Sequence, residues 1–217
     1  MEIIFATSNR HKLEEAQAIL GKGFKLISPR DLNLYDDIPE DADTLEGNAL
    51  LKAQYIWDRF HLPCFADDTG LEVDALGGAP GVYSARYAGE EQNFLNNTNK
   101  LLKELSGIKQ RGARFRTVVA LIIDGNINYF DGVLNGTIAE GPSGFGGFGY
   151  DPVFIPDGYT ITLAELSPVQ KNLISHRGLS MSKLSDFLHK NRSVDTLPLN
   201  NASLNNASLK KTSLKKT

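Results

Sequence analysis

The motif that decides the fold of this sequence is Phe65-Ala66-Asp67-Asp68-Thr69-Gly70-Leu71. It follows an apolar run, Leu62 to Ala66, that predicts a β-strand ending just before the two aspartates. Two ionised carboxylates at a buried strand end are costly unless cations or hydrogen-bond donors compensate them. Open α/β sheets place their chemistry at the carboxyl ends of strands. We therefore predict that Asp67 and Asp68 mark the edge of an active site that holds a metal ion.

The composition is that of a water-soluble protein in a reducing compartment. Of 217 residues, 41% are hydrophobic and 23% are charged, which is ordinary for a globular domain. The single cysteine, Cys64, excludes an internal disulfide framework. The N-terminal apolar segment is too short for a secretory signal, and no run approaches the ~18 apolar residues of a membrane helix. We predict a cytoplasmic protein without a membrane partner.

The chain divides by composition into two parts. Residues 1–192 form the predicted catalytic domain, whereas residues 193–217 repeat Asn-Asn-Ala-Ser-Leu and predict a disordered, low-complexity tail. The first part carries 19 basic and 25 acidic side chains, a net charge of −6. Because non-specific nucleic-acid affinity comes from neutralising backbone phosphates, we expect no nucleic-acid partner.

Hydrophobic periodicity predicts an α/β fold. A hairpin is indicated by Asp124-Gly125-Asn126, and five glycines between Gly141 and Gly149 indicate a loop. Besides the strand before the aspartates, the predicted strands are Glu2–Ala6, Phe115–Ile123, Ile127–Leu134 and a short Thr137–Ala139. The predicted helices are His11–Leu20, Leu45–Phe60, Gln92–Leu105, one from the capping box at Ser167 to Ser175, and Leu179–His189.

Two segments are suited to phosphate and metal. Residues 7–12 (Thr7-Ser8-Asn9-Arg10-His11-Lys12) cover a strand-to-helix junction, where free N–H groups and short donors favour phosphate. An ordinary N-cap with an exposed lysine is the alternative. The acid cluster from Glu40 to Asp43 precedes a helix and could supply a carboxylate that joins Asp68 in holding Mg²⁺. Its alternative is a set of acids that complement the helix dipole.

Two further segments are suited to a nucleoside. Residues 144–154 interleave glycines, which allow close backbone approach, with aromatic side chains on which a base can stack. Lys171, His176 and Arg177 lie at and after the next helix. A flexible loop, a solvated lysine and a pair that caps the end of a helix are the alternatives.

Assembled in this order, the motifs resemble the non-canonical purine nucleoside triphosphate pyrophosphatases, the inosine/xanthosine triphosphatase family. The matching segments are Ala6-Thr7-Ser8-Asn9 with Lys12, Glu46 to Ala53, Ala66 to Tyr87, Gly146-Gly147-Phe148-Gly149-Tyr150-Asp151-Pro152 and Ser175-His176-Arg177-Gly178. Within them, Thr69 departs from the family pattern, which has serine at this position, but threonine keeps the hydroxyl group.

The resemblance implies a fold, a homodimer and a set of roles. The fold would be an elongated, two-lobed mixed sheet flanked by helices, with the active-site cleft between the lobes. Asp68 would be the catalytic base and a metal ligand, and Glu40 would assist with Mg²⁺, although Asp41 or Asp43 could replace it. Asp67 would support its neighbour or the metal. The substrate would be bound by residues 7–12, Lys52, Thr69, Phe148, Gly149, Tyr150, Asp151, Lys171, His176 and Arg177.

The reaction implied by the resemblance is hydrolysis of ITP, dITP or XTP to the monophosphate and pyrophosphate. Such an enzyme removes deaminated bases from the nucleotide pool before they enter DNA or RNA. Two alternatives remain at this stage. One is a nucleotide sensor that binds without hydrolysis, and the other is a related pyrophosphatase for pyrimidine or modified triphosphates.

Overall fold

Seven strands and five α-helices occur in residues 1–36, 38, 40–89 and 91–191, which a computed structural model describes. The predicted tail, residues 193–217, lies outside the described residues. The strands are β1 (Glu2–Phe5), β2 (Lys25–Ile27), β3 (Cys64–Val73), β4 (Pro80–Gly81), β5 (Gly112–Ile123), β6 (Asn126–Ile138) and β7 (Phe154–Pro156). The helices are α1 (Arg10–Leu20), α2 (Leu45–Phe60), α3 (Phe94–Glu104), α4 (Pro168–Ile174) and α5 (His176–Asn191).

The strands form one mixed sheet in the order β2-β1-β3-β5-β6-β7, with β4 added beside β3. Strand β1 runs parallel to β2 and β3, and the remaining pairs are antiparallel. Strands β5 and β6 are joined by Asp124 and Gly125, which both have positive φ as the predicted tight hairpin requires. The predicted short strand at 137–139 is the end of β6. None of the described helices is long and apolar enough to cross a membrane.

Strand β3 does not end before the aspartates, so that prediction was wrong. It continues to Val73 because β5 pairs with it along its whole length, from Cys64 to Val73. Its parallel neighbour β1, however, ends at Phe5, opposite Phe65. Asp67 and Asp68 therefore lie in the middle of β3. They lie just beyond the carboxyl end of β1, so the prediction that they follow the end of a strand holds for β1 and not for β3.

The hydrophobic core consists of three clusters that cover the two ends of the sheet. At one end, Phe5 and Phe65 stack and pack beneath α1 and α5, while Ile4 and Cys64 pack on the opposite face beneath α2. At the other end, α3 and β7 pack around Leu71. The two ends are the predicted lobes, and the predicted fold of a mixed sheet flanked by helices is confirmed.

Candidate active site

A cleft of about 990 Å³ lies between the two ends of the sheet. It has the size of a typical small-molecule site. Every predicted site residue lines this cleft except Arg10 and His11. Arg10 instead forms an exposed ion pair with Glu14 one turn along α1. The structure therefore brings together segments from residue 6 to residue 177 and leaves those two outside.

The two aspartates reach different helices because side chains alternate across a strand. Asp67 shares the face of Phe65, which α1 and α5 cover, whereas Asp68 shares the face of Ala66, which α2 covers. Adjacent carboxylates thus obtain separate sets of cationic partners. This arrangement offsets the desolvation of both groups.

Asp67 is bound by two cations. Lys12 Nζ donates to Oδ1 at 3.0 Å, and Arg177 Nε donates to Oδ2 at 3.1 Å. Arg177 also donates from Nη1 to Glu15 at 2.9 Å. Burial alone would raise the pKa of Asp67, but Lys12 and Arg177 hold that pKa well below its usual range. Asp67 is therefore ionised and anchors two cations.

Asp68 is the more basic carboxylate of the pair. Lys52 Nζ donates to its Oδ1 at 3.2 Å, and Asn48 Nδ2 donates to its Oδ2 at 3.2 Å. Burial raises the pKa of Asp68, and Glu40 raises it further, against the lowering effects of Lys52 and Lys12. The side chain faces the cleft. A buried carboxylate with a raised pKa is typical of a general base.

Glu40 is connected to Asp68 through Lys52, whose ammonium donates to Glu40 Oε1 at 2.8 Å. Asp41 also lines the cleft, whereas Asp43 does not. In the described part of the chain, no group of three or more acidic, histidine or cysteine side chains could hold a metal. Magnesium commonly takes only one or two carboxylates, with water and substrate phosphates as its other ligands. Two cleft carboxylates that converge on one ammonium therefore fit Mg²⁺.

The start of α1 is capped by its own sequence. The Asn9 side chain accepts hydrogen bonds from the backbone N–H groups of His11 and Lys12, and Thr7 Oγ1 accepts from the N–H of Asn9. Three of the donors expected to meet phosphate are therefore occupied. The hydroxyl groups of Thr7 and Ser8 still line the cleft.

The glycine-rich loop is held by Asp151. Its Oδ2 accepts hydrogen bonds from the backbone N–H of Phe148 and from Lys171 Nζ, both at 2.7 Å. Gly147 has φ +72°, and a Cβ there would collide with the Asp151 carboxylate. The Lys171 ammonium lies 4.7 Å from the centre of the Phe148 ring. The loop thus presents a half-exposed aromatic ring beside a cation.

His176 and Arg177 follow α4, as predicted, and they begin α5, which starts at His176 rather than at the predicted Leu179. The His176 ring stacks on Phe115, with 4.7 Å between ring centres. Burial, reinforced by Arg177 and Lys171, keeps the pKa of His176 well below its ordinary value. Its Nδ1 atom is buried and has no hydrogen-bond partner among the described residues. A neutral imidazole with a free nitrogen can recognise a polar ligand edge.

Two residues of this site, Glu15 and Asn48, were not predicted from the sequence. Glu15 lies three residues after Lys12, and Asn48 lies four residues before Lys52. Residues at these spacings share one face of a helix, so each was a neighbour of a predicted lysine. That signal was present in the sequence, but it could not identify Arg177 and Asp68 as the partners.

The family of this chain follows from its similarity to known proteins. A model of the Ham1 family matches residues 3–187. The chain belongs to the Ham1 family. A relative from Porphyromonas gingivalis named dITP/XTP pyrophosphatase is 54% identical over 86% of this chain and 97% of its own length. One of the same name from Flavobacterium johnsoniae is 50% identical over 87% and 98%. The structure of a HAM1 protein from Coxiella burnetii superposes with a TM-score of 0.83 at 38% identity, covering 88% of this chain and 99% of that one. The family predicted from the motifs is confirmed.

Proposed function

We propose that the cleft of this Ham1-family member hydrolyses dITP, ITP and XTP to the nucleoside monophosphate and pyrophosphate. The observation that carries the proposal is the buried Asp68, which Lys52 and Asn48 orient in a cleft that is also lined by cationic side chains. The relatives named dITP/XTP pyrophosphatase match nearly their whole length, which confirms the predicted enzyme class and substrate class.

Asp68 takes the proton from the attacking water in this proposal. Its oxygens accept hydrogen bonds from Lys52 and Asn48. A carboxylate has about four lone-pair sites, so capacity for a water proton remains. Those two donors also orient the carboxylate. A positioned general base contributes roughly 10²–10⁴-fold to a rate.

Glu40 and Asp68 would hold Mg²⁺ in this proposal. The ion would supply positive charge that offsets repulsion between the cleft carboxylates and the phosphate chain. Lys12 and Lys52, with the hydroxyl groups of Thr7 and Ser8, stabilise the negative charge of the leaving pyrophosphate. The positions of the two lysines are preorganised, since Asp67 binds Lys12, Asp68 binds Lys52, and both aspartates are buried.

The nucleoside is assigned to the opposite side of the cleft. The half-exposed Phe148 ring provides a stacking surface. Arg177 donates hydrogen bonds from Nε to Asp67 and from Nη1 to Glu15. Its Nη2 has no hydrogen bond among the described residues. Arg177 Nη2 and His176 Nδ1 can pair with the 6-oxo group of hypoxanthine or xanthine. The 6-amino group of adenine would leave donors unpaired, a penalty of about 1–3 kcal/mol per group.

A pyrophosphate-release assay tests the function. The substrates are ITP, dITP, XTP, ATP and GTP, each assayed with and without Mg²⁺. We expect kcat/KM for the first three to exceed that for ATP and GTP by orders of magnitude, and we expect turnover to require the metal. Equal kcat/KM across the five nucleotides would refute the proposed specificity.

We also propose a homodimer in the cytoplasm. The dimer is the assembly implied by the family resemblance. Light scattering on the size-fractionated full chain measures it directly, and a mass equal to that of one chain would refute it.

A further inference from the structure

The cleft is nearly balanced in charge before any ligand enters. In the described part of the chain, seven acidic and six basic side chains line it. Four of the cations, the buried Lys52 and Arg177 and the partly buried Lys12 and Lys171, each form an ion pair with at least one carboxylate. A nucleoside triphosphate is a multiply charged anion. Because these four cations are already paired with carboxylates, other groups must compensate much of the charge of the substrate.

Arg86 and Arg30 are the two cleft cations without a carboxylate partner among the described residues. Arg30 is exposed, whereas Arg86 is partly buried. The Arg86 guanidinium donates from Nη2 to the backbone carbonyl of Glu40 at 3.3 Å. Its central carbon lies 5.3 Å from the centre of the Tyr83 ring. Arg86 therefore lies beside Glu40, the proposed metal-binding acid, and most of its N–H donors have no hydrogen-bond partner in the described part of the chain.

The 3₁₀ turn that carries Arg86, Ser84–Arg86, is rigidly held. Ser84 Oγ accepts a hydrogen bond from the N–H of Leu71 in β3 at 2.8 Å. The Ser84 carbonyl accepts from Tyr150 Oη at 2.9 Å, and the Ala85 carbonyl accepts from Asn97 Nδ2 at 2.8 Å. Three elements thus fix the turn through buried groups. An arginine on such a support is preorganised for binding.

We propose that Arg86 binds the phosphate chain of the substrate, as a binding residue beyond the set assigned above. A guanidinium presents several N–H donors in a plane, a geometry that suits two phosphate oxygens at once. The Tyr83 ring stabilises one face of the guanidinium and leaves its edge for the ligand. This role gives a function to the segment Val82-Tyr83-Ser84-Ala85-Arg86, which has no other role in the proposed reaction. The inference rests on the proposed function for the identity of the phosphate ligand.

The test compares Arg86→Gln and Arg86→Lys with the wild-type full chain. Arg114→Gln is the matched control, because it removes the same charge from an exposed arginine that pairs with Glu72 outside the cleft. The measurements are kcat and KM for dITP and XTP, and the dissociation constants of two probes, inorganic tripolyphosphate and inosine. The thermal midpoint of unfolding confirms that each variant is folded.

We expect Arg86→Gln to raise KM and the tripolyphosphate dissociation constant roughly 10- to 100-fold, the effect of losing a hydrogen bond to a charged group. Inosine affinity should stay at the wild-type value, Arg86→Lys should recover part of the loss, and the control should behave as the wild type.

Unchanged tripolyphosphate binding would overturn the proposal. Equal weakening of tripolyphosphate and inosine would also overturn it, since that result indicates a deformed turn. A wild-type chain that hydrolyses neither dITP nor XTP, yet binds tripolyphosphate through Arg86, would refute the proposed reaction and leave this inference standing.

Discussion

Arg177 donates to Oδ2 of Asp67 at 3.1 Å, across 110 residues of sequence. The other oxygen of the same carboxylate binds Lys12. One buried anion in β3 therefore joins the helix assigned to the phosphates, α1, to the helix assigned to the base, α5. Lys12 and Arg177, which are proposed to bind opposite ends of the substrate, therefore depend on each other for their positions through Asp67.

We expect Asp67→Asn to destabilise the protein and to impair both substrate subsites. The change leaves Lys12 without its carboxylate, and removing one partner of a buried ion pair costs about 3–5 kcal/mol. Denaturant unfolding measures the free energy, and kcat/KM for dITP measures the subsites. Asp157→Asn, at an exposed position, is the control. Wild-type stability and wild-type kcat/KM would show that the Asp67 anchor is dispensable.

Asp68→Asn should abolish turnover while retaining nucleotide binding. The amide keeps the size of the side chain but cannot take a proton from water, so kcat should fall by roughly 10²–10⁴-fold. Single-turnover hydrolysis of dITP measures the loss, and calorimetric titration with dITP measures binding. Substantial turnover in this variant would remove Asp68 from its proposed role.

His176 makes stability depend on pH. Burial, with Arg177 and Lys171, lowers the pKa of His176 in the folded state, so below about pH 6.5 the unfolded chain takes up a proton that the folded chain does not. The free energy of unfolding should therefore fall as the pH drops below that value, by up to about 1.4 kcal/mol per pH unit from this group. Urea unfolding of the wild type and of His176→Phe measures the difference. Identical pH dependence in the two proteins would contradict it.

Asp151 has two tasks that two substitutions can separate. Asp151→Asn can still accept the hydrogen bond from the Phe148 N–H but loses the ion pair with Lys171, whereas Asp151→Ala loses both. We expect KM for dITP to rise in both variants and to rise more in Asp151→Ala, because the loop that presents the Phe148 ring is then unsupported. Steady-state kinetics with dITP give the comparison. Equal KM values in the two variants would show that the loop does not need this hydrogen bond.

Most elements were predictable because their signals are local. The helix Leu45–Phe60 was predicted with its observed bounds, and the capping box at Ser167 begins α4 as expected. The end of β3 was predicted wrongly because two adjacent aspartates look like a strand terminus when their partners are unknown. The start of α5 was predicted at Leu179 instead of His176, because His176 and Arg177 were assigned to the junction after the preceding helix.

The sequence alone determined most of the side chains that line the cleft and the order in which they occur, since residue type and motif spacing are local properties. Only the tertiary structure showed that β3 continues through Asp67 and Asp68, which turns the two side chains to opposite faces of the strand. Only the tertiary structure decided that Asp67 is neutralised by Lys12 and Arg177, and that Asp68 pairs with Lys52 and accepts a hydrogen bond from Asn48. It also showed that Arg86 keeps its charge free of carboxylates in the described part of the chain. The physical reason is that the electrostatic state of a buried carboxylate depends on which helices pack over its face of the sheet, and the helical partners of Asp67 lie 55 and 110 residues away from it.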